Sequence, residues 1–281
     1  MLIHSASQLV TLSGGAQRGS DLGRLNIIED GAVLVKGSII EEVGTTSNLI
    51  YKFPNEERLD ARGRVVMPGL VDAHTHLVWA GDRAAEFDLR LQGKSYMEIM
   101  SAGGGINSTV NATRNASAEA LLAKTRQRAQ EMLRFGTTTA EAKSGYGLEL
   151  KSELAQLETL LTLDAEGPLE IVPTFLGAHA VPPEYTGRAE EYARLVCEQM
   201  LPALKSWWVQ RAGGRPLPFV DVFCEKGAFD LAQTRAILTT ARDLGFPLKA
   251  HVDEFENLGG ASLAVEWKAV SVEHAVKTSP A

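Results

Sequence analysis

Polar residues fall at one recurring place in this chain, and that placement constrains its fold more than any other feature. After Pro68, short apolar segments end one after another on a histidine, lysine or glutamate. They read GLVDAHTH (69–76), TTTAEAK (137–143), IVPTFLGAH (171–179), FVDVFCE (219–225), PLKAHVDE (247–254) and AVSVEH (269–274). Helical runs lie between them, at 118–135, 150–164, 190–204 and 231–244. Ser117 and Asp230 stand where N-caps belong, and Gly245 follows the last helical run. Apolar strands without alternation are buried on both faces, so the repeated βα pattern predicts a parallel sheet. Two parallel architectures compete, the doubly wound sheet and the (β/α)8 barrel. A barrel gathers its functional residues at the C-terminal ends of its strands. His76, Lys143, His179, Glu225, His251 with Glu254, and His274 all fall there. No GxGxxG follows the first strand, so a dinucleotide fold has no support. The predicted class is α/β, a TIM barrel with about six of its eight βα units legible.

The first 66 residues differ. They carry short β-rich runs such as GAVLVKGSIIEEVG and RVVMPGL, separated by Gly, Asp, Asn and Ser. They predict a small domain of antiparallel strands at 1–66, followed by the barrel at 67–281. With 28 Lys+Arg against 35 Asp+Glu the formal charge is −7, and no basic run is present. Nucleic acid is therefore excluded as a partner. Two cysteines, Cys197 and Cys224, lack CxxC spacing and suit a reducing compartment. Neither a signal peptide nor an apolar run of membrane-spanning length is seen, so the expected setting is the cytoplasm, away from membranes.

The strand ends carry the chemistry. His74 and His76 form an H-x-H pair, and residues two apart on a strand point to the same side. Two imidazoles at a barrel mouth make two corners of a metal site; the plain alternative is two unrelated histidines on a half-buried strand. His251 supplies a third candidate ligand. Glu254 follows three residues later, placed as a general acid–base group or, alternatively, as a first-turn helix acid. His274 is open between ligand, base and core histidine. Arg83, in WAGDRAAEF, suits a substrate carboxylate, although a solvated loop arginine is equally ordinary. Tyr146 lies in the Gly-flanked loop KSGYGL, where backbone can approach a ligand closely. The run SAGGGI (101–106) lacks a P-loop Lys-Ser/Thr and reads as a loop over the site rather than a phosphate cradle.

Taken together, PGLVDAHTHLVWAGDRAAEF, GKSYMEIMSAGGGI, GTTTAEAKSGYGL, FLGAHAVPPEY and KAHVDEF resemble the imidazolonepropionases of the amidohydrolase superfamily. The resemblance runs over essentially the whole chain. It implies a TIM barrel with a small N-terminal β-sandwich domain, a homodimer when full length, and one bound zinc or iron ion. The implied reaction is hydrolysis of the cyclic amide 4-imidazolone-5-propanoate to N-formimidoyl-L-glutamate in histidine degradation. By motif, His74, His76 and His251 match metal ligands, and Arg83, Tyr146, His179 and Glu254 match substrate contacts. His274 matches a histidine close to the water on the metal. The family's remaining ligand is an aspartate at the end of the last barrel strand. Six strands are legible here, so the chain reads as a C-terminally truncated fragment, expected to be inactive by itself, with an incomplete small domain. Residues 203–218 read as an insertion relative to the family's spacing. The alternative within the superfamily is a deaminase of a cytosine- or guanine-like ring, which also carries HxxE after the fifth strand. A two-metal dihydroorotase or hydantoinase would place a bridging lysine on the fourth strand, where FVDVFCEKG offers only Lys226, just past Glu225. A ligand-binding barrel without turnover is the non-enzyme alternative, and metal content separates the two.

Overall fold

The apolar and β-branched runs of the first 70 residues pair into a single sheet in the computed structural model. The structure describes residues 1–281 except 16, 95–97, 99–103 and 280–281. It divides into two compact units, Met1–Leu70 and Val71–Ala281.

The first unit contains β1 (Leu2–Val10), β2 (Ile27–Lys36), β3 (Ile39–Thr45), helix α1 (Thr46–Lys52), β4 (Arg58–Asp60) and β5 (Val65–Val66). The strand order is β3-β2-β1-β4, and β5 also pairs with β1. β2 and β3 form a hairpin across Gly37, whose φ of +59° suits a tight turn. The antiparallel expectation holds for β1–β2 and β2–β3 but not for β4 and β5, which run parallel to β1. Helix α1 lies in the connection between β3 and β4, and a parallel neighbour requires such a crossover. Leu2, Ala32, Leu34 and Leu49 form the buried cluster of this unit. The second sheet that a sandwich needs is not among the described strands.

The second unit is a six-stranded sheet in sequence order: β6 (Leu70–Thr75), β7 (Thr137–Lys143), β8 (Glu170–Ala178), β9 (Phe219–Cys224), β10 (Lys249–Val252) and β11 (Ser271–His274). The pairings from β7 through β11 are parallel. Helices α2 (Ala84–Leu91), α3 (Ile106–Asn115) and α4 (Ala118–Arg134) precede β7, and α5 (Leu150–Glu166) precedes β8. Helices α6 (Ala189–Leu195) and α7 (Leu201–Arg211) flank a π-helical turn, Val196–Met200. Then come α8 (Leu231–Asp243) and α9 (Gly260–Glu266). The two predicted caps form: Ser117 Oγ accepts the Ala120 N–H, and Asp230 makes a capping box with Gln233. The sheet curls until β6 meets β10 and β11 through side chains. Lys249 Nζ donates to the Ala73 carbonyl at 3.0 Å, and His74 Nδ1 donates to Glu273 Oε2 at 2.9 Å. This nearly closed parallel sheet, with helices between successive strands, is TIM-barrel-like.

The segment read as an insertion, residues 203–218, is helical as far as Arg211 and then turns through 212–218 into β9. The predicted helix end at 204 is overrun, because Pro202 sits at the first turn of α7, where its missing N–H costs nothing. Trp208 of that helix is fully buried and its Nε1 donates to the Pro216 carbonyl at 3.0 Å. Among the described residues, no helix is long and apolar enough to cross a membrane.

Candidate metal and active site

Parallel strands place their C-terminal ends on one rim, and five histidines follow from that geometry. His74 and His76 come from the end of β6, His179 from the end of β8, His251 from β10 and His274 from β11. The ring centroid of His74 lies 5.4 Å from His76, 4.6 Å from His251 and 5.3 Å from His274. His179 stacks on His76 at 4.8 Å. One ring nitrogen from each of His74, His251 and His274 can be chosen so that all three lie within 4.8 Å of one another. The tightest donor trio therefore takes in His274 and leaves His76 beside it.

Several of these nitrogens have no protein partner. His76 Nδ1 and His251 Nε2 are buried and make no hydrogen bond to the described residues. Orphaned buried imidazole nitrogens are rare and call for an explanation such as an ion. The imidazole donor set suits zinc or iron, so the residues present fit a metal.

Beneath the histidines lies a buried charge network. Lys143 is fully buried and pairs with Glu141 at 2.7 Å and Asp221 at 3.0 Å. Lys249 pairs with Glu273 at 2.6 Å and Glu141 at 3.7 Å. Glu141 also accepts from the Thr174 hydroxyl and, at 3.3 Å, from the Thr75 N–H. Two carboxylates carry the network up to the histidines. Glu273 accepts from His74 Nδ1, and Asp221 Oδ2 lies 2.9 Å from His251 Nδ1. The His251 ring is turned off the straight N–H···O line, so that second contact is an ion-pair distance rather than a formed hydrogen bond. Burial would raise both carboxyls. His251 and Lys143 instead hold Asp221 far below the usual range, and His74 with Lys249 and Lys143 hold Glu273 down to about 2. Lys143, despite a burial that works against its charge, is pushed up by Asp221 and Glu141. Two ammonium groups thus face three carboxylates, a negative surplus directly under the imidazoles.

Three of the histidines, His76, His179 and His274, are shifted toward the neutral form. Burial and then neighbouring His179 and His251 push His76 well below its ordinary range. Burial and His251 lower His179 to about 3. Burial, His251 and His74 lower His274. Neutral imidazoles are the form that ligates metals.

Glu254 is half-buried, with Oε2 3.4 Å from His274 Nε2. Burial raises its carboxyl, and Glu225 adds to the rise against the pull of His251. The segment around it is tightly specified. Asp253 at φ +52° and His274 at φ +68° sit in the left-handed region that L-residues rarely adopt. Such strained backbone concentrates at functional sites. Buried Glu225, at the end of β9, accepts the Phe255 N–H at 2.9 Å and the Glu256 N–H at 3.3 Å, pinning the turn just past Glu254. Tyr146 packs 5.3 Å from His179 and 5.6 Å from His76, ring to ring.

Arg83 stands apart from this cluster. It is the residue before α2, and its Nε donates to Thr109 Oγ1 on α3 at 3.0 Å. Of the glycine run, Gly103 lies outside the described residues. The Gly105 N–H donates to Glu86 of α2 at 2.9 Å. So the structure brings together His74, His76, His179, His251, His274, Glu254 and Tyr146, and it holds Arg83 at the α2–α3 junction. Sequence reasoning missed the roles of Glu141, Asp221, Lys249 and Glu273. Charged residues inside otherwise apolar strands, as in FVDVFC and PLKAHV, were the available signal.

A family model described as amidohydrolase family matches residues 57–106. The imidazolonepropionase of Chloroflexus aggregans is 54% identical over 100% of this chain and 66% of its own length. That of Herpetosiphon aurantiacus is 48% identical over 99% of this chain and 65% of its own length. The chain thus spans just under two thirds of these relatives. Among solved structures, 5-methylcytosine deaminase from Klebsiella pneumoniae is similar at a TM-score of 0.58, with 13% identity. That similarity covers 95% of this chain and 55% of the deaminase. The zinc-complexed atrazine chlorohydrolase of Arthrobacter aurescens is similar at 0.53 with 13% identity, over 94% and 55% of the two chains. At such identities the likeness is one of fold. The sequence relatives are far nearer: along its full length the chain is similar to imidazolonepropionases, and residues 57–106 match the amidohydrolase family.

Proposed function

We propose that this chain carries the metal-dependent site that hydrolyses the cyclic amide of 4-imidazolone-5-propanoate to N-formimidoyl-L-glutamate. One observation carries the reading: four imidazoles, from β6, β10 and β11, converge over a buried negative network with Glu254 beside them. His74, His76 and His251 are proposed to hold the ion, zinc or iron, with His274 at its edge. When bound, the ion polarises a carbonyl oxygen and makes a water acidic.

The chain's own residues do the rest. Glu254, raised by burial, is suited to take a proton from the attacking water and return it to the departing ring nitrogen. His274, neutral and 3.4 Å from Glu254, orients that carboxylate. His179 donates from Nδ1 to the Gly145 carbonyl at 2.9 Å, which leaves Nε2 as an acceptor for a ring N–H of the substrate. Tyr146 packs the ring against His76 and His179. Arg83, held at Nε by Thr109, is assigned to the propionate through its terminal nitrogens. The two free thiols fit a cytoplasmic setting, and homodimerisation is proposed from the family likeness.

The test is turnover of imidazolonepropionate by the complete gene product, followed by loss of the ring chromophore, before and after metal removal. Metal-dependent loss is expected. Ammonia release from cytosine or guanine, with no attack on imidazolonepropionate, would replace this reading with the deaminase.

A further inference from the structure

Glu153 belongs to no strand end and to none of the motifs above, yet it is fully buried in the first turn of α5. Its carboxylate turns back onto the loop that enters the helix. Oε2 accepts the Gly145 N–H at 2.9 Å, and Oε1 accepts the N–H groups of Gly147 at 2.8 Å and Leu148 at 2.7 Å. Gln156, one turn later and also buried, accepts the Tyr146 N–H at 3.3 Å. Four consecutive backbone donors are therefore gathered by two side chains of one helix. A buried carboxylate is costly unless its lone pairs are filled, and here three short bonds fill them.

The loop has little freedom left. Gly145 has φ +109°, and a Cβ there would come within 3.0 Å of the Leu176 carbonyl oxygen and 3.1 Å of His179 Nδ1. At Gly147 a Cβ would lie 2.7 Å from the Glu153 backbone nitrogen. Leu148 is held at φ +52°. This backbone conformation is available chiefly to glycine and must be imposed on Leu148 by its surroundings.

The held loop touches the site twice. The Gly145 carbonyl shares its peptide with the Tyr146 N–H held by Gln156 and comes one residue after the peptide whose Gly145 N–H is held by Glu153; it is the acceptor for His179 Nδ1. Tyr146, between two clamped residues, packs on His179 and His76. We infer that Glu153 is a positioning residue: it aims the Gly145 carbonyl at His179, thereby fixing the Nδ1–H tautomer that leaves Nε2 free to accept, and it seats the Tyr146 ring. The consequence for substrate binding rests on the function proposed above; the consequence for His179 does not.

Glu153→Ala and Glu153→Gln separate these outcomes in the complete gene product loaded with zinc. The amide nitrogen of glutamine cannot accept, so at least the Gly145 N–H loses its partner while the side-chain shape is kept. With alanine, KM for imidazolonepropionate should rise by roughly tenfold or more, the scale of a lost charge-assisted hydrogen bond. With glutamine the rise should be intermediate. Metal content should be unchanged, and kcat should fall less than KM rises. Nitrogen-15 NMR of labelled histidine, with His179 assigned from the signals lost in His179→Gln, should show one tautomer in the parent. A mixture of tautomers should appear in both Glu153 variants. If alanine fails to fold, glutamine alone decides. Unchanged KM together with an unchanged His179 tautomer in either folded variant overturns the inference. If the parent does not turn over imidazolonepropionate, the function reading falls, and the tautomer measurement still decides the role of Glu153.

Discussion

His74 and Glu273, 199 residues apart in sequence, share a hydrogen bond of 2.9 Å that joins the first and sixth strands of the curled sheet. The bond also dictates which nitrogen of His74 faces the site. A carboxylate only accepts while ionised, so Nδ1 carries the proton and Nε2 keeps the free lone pair. Lys249, 2.6 Å from the other oxygen, keeps Glu273 ionised. Partners of this kind orient metal-bound imidazoles and strengthen them as ligands. Glu273→Gln is therefore expected to weaken zinc binding by about 10–100-fold, the usual cost of removing such a partner. Competition against a chromophoric chelator measures it. Unaltered affinity would mean that the bond only ties the strands together.

Lys143 tests the charge network beneath the histidines. Its ammonium has no solvent exposure, and Glu141 and Asp221 are nearly as deep. Removing one member of a buried ion network strands its partners without water, at about 3–5 kcal/mol. Lys143→Met should lower unfolding stability by that amount in a denaturant titration. Lys143→Met combined with Glu141→Gln should lose less than the sum of the two single changes, because the stranded charge is partly relieved. Strict additivity would show that the groups do not interact.

The barrel-like unit was legible because parallel strands are buried on both faces and announce themselves as unbroken apolar runs with helical runs between them, two of these marked by side-chain caps at Ser117 and Asp230. The rim histidines were legible for a related reason: they interrupt those runs at a fixed place. The network was not. Asp221 in FVDVFC and Lys249 in PLKAHV are single charges in apolar strings, and their partners come from strands 24 to 108 residues away, a distance that local pattern does not encode. Glu153 was hidden differently. An acid in the first turn of a helix is ordinary dipole chemistry, and nothing local shows it folding back on the preceding loop. The helix end at 204 fell short because 203–218 read as an insertion, whereas the chain continues from the π-helical turn into α7 as far as Arg211, with Pro202 in its first turn. The parallel pairing of β4 and β5 depends on the crossover through α1, again a non-local fact.

The metal assignment makes a joint prediction for His74 and His251. Each faces a carboxylate from below and its neighbours from the side, and His251 Nε2 is buried without a protein partner. His74→Ala or His251→Ala should abolish bound metal, measured by elemental analysis of the purified complete protein, and activity should vanish with it. Full metal content in both variants would remove these histidines from the ligand set.

Glu254 is where the proposed chemistry is most exposed to test. Its neighbour His274 lies 3.4 Å away, and Glu225 pins the backbone just past it, so a change confined to its carboxylate should leave the surroundings in place. Glu254→Gln keeps the volume and removes the ability to take a proton. If Glu254 moves the proton between water and the ring nitrogen, kcat should fall by roughly 10²-fold or more, the scale of a general acid–base group. Metal content should stay at the parent value, because the carboxylate is not among the proposed ligands. KM should change much less than kcat, since the substrate is held by Arg83, Tyr146 and His179 in this reading. The split between kcat and KM distinguishes the alternatives: a rise in KM with kcat preserved would make Glu254 a substrate-orienting residue, and loss of metal would make it a support for His274. Steady-state turnover of imidazolonepropionate alongside elemental analysis of the same preparations separates all three.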